Sequence, residues 1–205
     1  MAKPAIDLYK QHKAEYAAAS KPALVTIGKA QYLAIEGQGA PGSEAFVASI
    51  GALYGAAFTI KMTRKFAGRQ DYAVCKLEGQ WWCDNPEKFA STPKDEWRWK
   101  LLIRTPEFVT QKELKGAVAV LLKRGKGNEV ERVRLETLSE GKCVQMLHVG
   151  PYEEEAETIA AMKAFAESKG LTFRGRHHEI YLSDPRRVAP EKLKTILRMP
   201  VVGAS

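Results

Sequence analysis

Cysteine is scarce in this 205-residue chain, and the three present, Cys75, Cys83 and Cys143, form no close pair. An odd, scattered set offers neither a disulfide framework nor the spacing of a structural zinc site, and it points to a reducing cytoplasm. Long apolar runs are also missing. The most apolar stretch, Gly116 to Leu122, is far short of the roughly 18 residues that a membrane-spanning helix needs. The opening segment MAKPAIDLYKQHKAEY carries charge where a signal peptide needs an apolar run. No G-x-S-x-G elbow, P-loop or dinucleotide fingerprint occurs, and the glycine-rich GQGAPGS matches none of those spacings and reads as a turn. No cofactor and no metal is expected. His148, His177 and His178 lack metal spacing, and the adjacent pair would leave a strand on opposite faces.

What is present describes an ordinary globular chain, 45% hydrophobic and 27% charged. Lysine and arginine number 32 against 24 acidic residues, a net charge of +8. The basic residues are dispersed through 61–69, 123–134 and 174–198, which reads as solvated surface and argues against nucleic acid, whose binders concentrate a basic face.

Residues 1–21 read as a polar arm or short helix. An extended run follows from Pro22, ALVTIGKAQYLAIEG, with Val25, Ile27, Leu33 and Ile35 on one face and Tyr32 on the other. Ser43 is a candidate N-cap for a helix with an apolar stripe at Phe46, Ile50, Leu53 and Ala57, ending near Gly68. Strands are expected from Asp71 to Trp82 and from Glu96 to Arg104, with Asn85-Pro86 and Thr92-Pro93 between them, then a helix from Thr110 to Lys123. ERVRLETL and KCVQMLHVG suggest a hairpin around Glu140-Gly141. Beyond it come a helix from Glu153 to Lys169 closed by Gly170, a strand in RHHEIYLSD, a short helix or turn from Glu191, and a final strand in ILRMPVV.

The order strand, loop, helix, strand, proline loop, strand thus occurs twice. Glu78 and Glu179, Asp84 and Asp184, and Pro106 and Pro200 recur about 100 residues apart, the signature of an internal duplication. The expected fold is α+β: two pseudo-symmetric strand–helix–strand–strand modules with antiparallel sheet and a central ligand cleft. Module one covers about 22–106, a linker helix about 107–125, and module two about 126–205.

All four tryptophans, Trp81, Trp82, Trp97 and Trp99, fall on two consecutive strands. One face of such a sheet packs beneath helices, and rings on the other face could stack on a ligand. Glu78 and Glu179 lie within strands among apolar or aromatic neighbours. In an aromatic cleft a carboxylate loses hydration, which raises its pKa and fits it to hold a lipophilic cation or to act as a general base. The cysteines read as small buried apolar residues.

The segments YLAIEGQGAPGSEAF, ALYGAAFTIKM, KLEGQWW, EWRWKLLIRTPEFVT, VQMLHVGPYEEE and HHEIYLSDPRRVAPEKLKTILRMPV, taken in order from Pro22 to Val202, resemble the stand-alone bacterial branch of the GyrI-like small-molecule-binding proteins. The resemblance implies binding of bulky, planar, often cationic compounds. It also implies kinship with multidrug-binding effector domains and with cyclopropanoid cyclopropyl hydrolases, which open the strained ring of DNA-alkylating compounds. By position, Glu179 is the family's acidic cleft residue, Tyr72 and Glu78 lie in the YAVCKLEG strand, and Tyr54 and Phe58 lie on the first helix. No helix-turn-helix segment precedes the domain, which speaks against direct transcriptional regulation.

The expected function is cytoplasmic binding of hydrophobic polycyclic small molecules, contributing to drug or toxin resistance. The candidate ligand contacts are Tyr32, Tyr54, Phe58, Trp82, Trp97, Trp99, Phe108, Met146, His148 and Tyr181. The alternative is a hydrolase adding water to a cyclopropane ring, with Glu179 as base, Tyr72 as proton donor to the developing oxyanion and Glu78 as a second acid/base. A third reading is a protein-interaction module that inhibits gyrase.

Overall fold

The computed structural model describes residues 4–85, 89 and 91–204, and Pro86 of the expected turn lies outside them. The chain forms two compact units: Met1–Gln11 with Ala30–Leu138, and His12–Lys29 with Ser139–Ser205.

The first unit holds α1 (Leu8–Gln11), the second half of β1 (Ala23–Gln38), α3 (Glu44–Phe66), β2 (Leu77–Trp82), β3 (Arg98–Arg104) and α4 (Gln111–Lys123), while α2 (Lys13–Tyr16) belongs to the second. β3 pairs antiparallel with β1 on one side and β2 on the other, in a register that sets Ile35 opposite Leu101 and Trp81 opposite Trp99. Alternation then turns Leu33, Ile35, Trp81, Trp99, Leu101 and Ile103 to one face, where they meet Leu53, Ala56 and Ile60 of α3 and Leu114 and Leu121 of α4 in one core.

Ser43 caps α3 by accepting the Phe46 N–H at 3.3 Å. Thr110 and Glu113 close a reciprocal capping box on α4, the helix expected to link the modules, which packs on α3 inside this unit. Arg64 on α3 reaches Glu113 at 2.5 Å. α3 also corrects the reading of apolar runs, because by length and composition it could cross a membrane. Here its inner face is locked into the core, and its buried arginine is paired with a carboxylate.

The second sheet face differs from the expected open surface. Ala30, Tyr32 and Ala34 pack with Leu102 and Leu138, and Glu78, Gln80, Lys100 and Arg104 are buried as well. Lys100 is held by Glu136 at 2.6 Å and Glu36 at 2.9 Å. The strand expected from Asp71 begins only at Leu77, and before it a single parallel bridge joins Ile6 to Tyr72. Alternation therefore does not run through 72–76, and Tyr72 and Cys75 enter the same core instead of opposite faces.

The second unit contains most of β4 (Arg134–Val149), α5 (Glu155–Glu167), β5 (Leu171–Phe173), β6 (His177–Tyr181) and β7 (Lys194–Gly203). β7 pairs antiparallel with β6 along one edge, with β4 along the other and with β5 at its end. Val144, Met162, Ala166, Leu171, Leu197 and Val201 form its core. α5 ends at Glu167 with Ser168 as its C-cap, short of the expected Lys169, and Gly170 takes a φ of +64° in the turn that follows.

The expected hairpin at Glu140-Gly141 is instead one continuous strand. Gly141 takes a positive φ of +72°, and the Glu140 carboxylate is anchored inward by His178 at 2.9 Å and Arg198 at 3.2 Å. Arg198 also donates to Gln145 at 3.3 Å and to the Glu15 carbonyl at 2.5 Å. Each unit thus carries the order strand, helix, strand, strand, as β1–α3–β2–β3 and as β4–α5–β6–β7 with β5 inserted, in an α+β architecture with antiparallel pairing.

Candidate functional site

Trp81, Trp97 and Trp99 pack on other rings. Phe46 stacks on Trp81 at 5.5 Å and meets Trp99 edge-on at 5.3 Å. Trp97 lies edge-on to Trp81 at 5.9 Å, stacks on Phe89 at 4.5 Å and donates its indole N–H to the Thr92 carbonyl. Trp99 is 1% exposed, and its ring covers Gly37, where any side chain would overlap it. Trp82 is half-buried and shares its strand face with Glu78 and Gln80. Phe108 is half-buried under the Arg64 guanidinium and edge-on to Tyr72, and Tyr32 is enclosed on the second sheet face.

An open aromatic surface lies elsewhere in the first unit. Successive turns of α3 carry Tyr54 and Phe58, whose rings stack at 6.1 Å, and Phe58 is 50% exposed. With Asp7, Tyr9 and the segment Ala73–Lys76 they line a hollow of about 340 Å³. The Asp7 carboxylate gives this hollow an acidic group, which accepts from the Lys10 backbone N–H at 3.2 Å and pairs with the exposed Lys10 ammonium at 3.5 Å. Cys75 also borders it, but burial pushes its thiol up to about 12, so it presents no thiolate at neutral pH.

Tyr72 and Glu78 are sealed in this unit. Burial pushes the Tyr72 phenol up to about 12, and its hydroxyl makes no hydrogen bond among the described residues. Such a phenol stays protonated and keeps its donor capacity.

In the second unit β6 sends His178 to the Glu140–Arg198 network and His177 and Glu179 to the other face. There His177 Nε2 lies 3.2 Å from Glu179 Oε1 and 3.8 Å from Glu155 Oε2, at the start of α5. Burial and the nearby Glu179 charge raise the Glu155 carboxyl to about 7. Burial opposes charge on His177, but the attraction of the two glutamates outweighs it and raises the imidazole to about 9. Tyr152 stands edge-on to Tyr181 at 5.9 Å, and its phenol is pushed up to about 12 by burial and then by the charges of Glu179 and Glu155. His148 has a structural position. It donates Nε2–H to the Pro151 carbonyl at 3.0 Å and so accepts from the Thr158 hydroxyl at 2.9 Å. Met146 borders the core.

The model of the GyrI-like small molecule binding domain matches residues 20–202. The chain belongs to the GyrI-like family. Solved relatives from Listeria innocua include an uncharacterized protein and proteins described as hydrolases. An uncharacterized conserved protein is 41% identical over 96% of this chain and 100% of its own, with a TM-score of 0.90. A protein described as a hydrolase is 40% identical over 97% and 100%, with a TM-score of 0.89. The EcmrR C-terminal domain, 10% identical over 90% of this chain and 98% of its own, has a TM-score of 0.58 and shares the fold. Comparison with curated proteins gives no match.

Glu155, Tyr152, Asp7 and Tyr9 escaped the sequence reading of this GyrI-like chain. Tyr152 and Glu155 stand in plain view in VGPYEEE, but nothing local distinguishes Glu155 from its exposed neighbours Glu153 and Glu154. Asp7 and Tyr9 lie in the N-terminal arm, which carries no periodic signal.

Proposed function

We propose that the chain binds bulky, planar, hydrophobic small molecules, cations among them, in the hollow on α3, and that it acts in the cytoplasm against drugs or toxins. The observation that carries this reading is the stacked, half-open Tyr54–Phe58 pair beside the Asp7 carboxylate. A ring slid onto such a pair gains about 0.5–1.5 kcal/mol per aromatic contact beyond area burial, and a carboxylate at the rim favours a cation. The volume of about 340 Å³ falls within the range of small-molecule pockets. Fluorescence titration with ethidium tests it. Phe58→Ala should weaken binding several-fold with little change in Tm, because that ring is half exposed. Equal affinity in Phe58→Ala and Tyr54→Ala would defeat the proposal.

A second reading, hydrolysis of cyclopropanoid compounds, is favoured by the 40%-identical relatives described as hydrolases and by the acid–imidazole cluster on β6. In this reading Glu179 takes a proton from water, and the water oxygen bonds to a cyclopropane carbon. The strained C–C bond breaks, its electron pair enters the cyclohexadienone, and the resulting phenolate takes up a proton. Incubation with a cyclopropanoid cyclohexadienone and mass detection of the water adduct tests it. Turnover that persists in Glu179→Gln would remove that residue from the chemistry. Tyr72→Phe and Glu78→Gln test the two further groups separately.

A further inference from the structure

The Glu155–His177–Glu179 cluster has a capacity that neither reading uses. One donor atom from each side chain lies within 4.8 Å of the others. His177 Nε2 stands 3.2 Å from Glu179 Oε1 and 3.8 Å from Glu155 Oε2. A tetrahedral ion with bonds of about 2.0–2.1 Å to nitrogen and oxygen separates neighbouring donors by roughly 3.3 Å. The two separations from His177 are therefore near ligand spacing, and the third lies within 4.8 Å. The supports are rigid: His177 and Glu179 share a strand face two residues apart, and Glu155 sits in the first turn of a packed helix.

A separate observation points to a missing partner. Glu155 is 7% exposed, yet its Oε1 has no hydrogen-bond partner among the described residues. Buried carboxylate oxygens are normally satisfied by donors or by a cation. We propose that Glu155, His177 and Glu179 bind one borderline divalent cation of the Zn²⁺ or Co²⁺ class.

The cation takes the place of the imidazole proton, which is released on binding, so that two carboxylates and a neutral imidazole supply a charge of about −2 for the dication to neutralise. The imidazole nitrogen selects against Ca²⁺ and Mg²⁺, which prefer all-oxygen shells. Three protein ligands leave a coordination position open, the pattern of catalytic zinc sites and not of closed structural ones. The proposal shares Glu179 with the hydrolase reading but does not rest on it or on ligand binding in the hollow.

The test uses the full chain, stripped with EDTA and titrated with Zn²⁺ and Co²⁺ in the absence of any organic compound. The expected result is one ion per chain, visible d–d bands of low-coordinate Co²⁺, and a rise in Tm with Zn²⁺. His177→Asn and Glu155→Gln should each weaken Zn²⁺ binding at least about tenfold and abolish the Tm rise, with melting in EDTA showing that both variants fold. His12→Gln, at a half-buried histidine outside the cluster, should bind as the parent does. No saturable stoichiometric binding, or equal affinity in the folded His177→Asn and Glu155→Gln variants, would overturn the proposal.

Discussion

Replacing Glu140 by glutamine would test whether the second unit is organised around a buried charge. The carboxylate accepts from His178 Nδ1 at 2.9 Å and from Arg198 at 3.2 Å, with side chains that are almost wholly enclosed. Burial alone would raise its pKa, but His178 and Arg198 outweigh it and hold the group at about 2 against an ordinary 4.5. By linkage that difference corresponds to roughly 3 kcal/mol of stability. Because the folded pKa lies below the unfolded one, the contribution is complete above about pH 5 and is lost as pH falls from there toward 2. Glu140→Gln loses it at every pH and leaves Arg198 enclosed without its counter-charge, so the total cost at pH 7 should be about 3–5 kcal/mol. Urea unfolding of both proteins between pH 3 and 7 (roughly, the span over which the linkage acts) gives the comparison. The gap between them should narrow toward acid. Asp71, Glu113 and Asp184 also have lowered pKa values, but they are common to both proteins and cancel in the difference. A gap below about 1 kcal/mol at pH 7, or one that stays constant with pH, would mean that the Glu140 charge does not stabilise the fold.

Gly37→Ala should destabilise the first unit by about 1–3 kcal/mol in urea unfolding, since the new methyl would overlap the enclosed Trp99 ring and a β3 partner cannot simply move away. Thr110→Ala should cost about 1 kcal/mol by removing half of the α4 capping box, and Thr110→Ser should restore most of it. Ethidium affinity should fall several-fold in Phe58→Ala, through loss of the exposed half of the ring pair, while the urea midpoint barely changes.

Elements with local chemical punctuation were readable in the sequence. Ser43 opens α3, Gly170 marks the turn after α5, alternating apolar residues mark β1, and short apolar runs mark β3 and β7. The continuous β4 was not, because Glu140-Gly141 looks like a turn until His178 and Arg198, distant in sequence, pull the glutamate inward. β5 is only three residues long and owes its pairing to β7.

For the sites, the adjacent histidines were correctly sent to opposite faces by strand alternation, but Glu155 became visible only when α5 was placed beside β6. The tryptophan cluster carried a signal open to two readings. Its partners Phe46 and Phe89 come from α3 and from a loop, so ring-on-ring packing could not be distinguished from ligand stacking by spacing along the strands. The opposite happened with Tyr54 and Phe58. Helical spacing places them together, but their exposure depends on which stripe α3 buries.

A crystal structure of the chain soaked with ethidium would locate the ligand. The phenanthridinium ring should lie stacked against Tyr54 and Phe58, with its positive edge toward Asp7. Dye bound elsewhere, with that ring pair bare in a saturated crystal, would contradict binding in the hollow on α3.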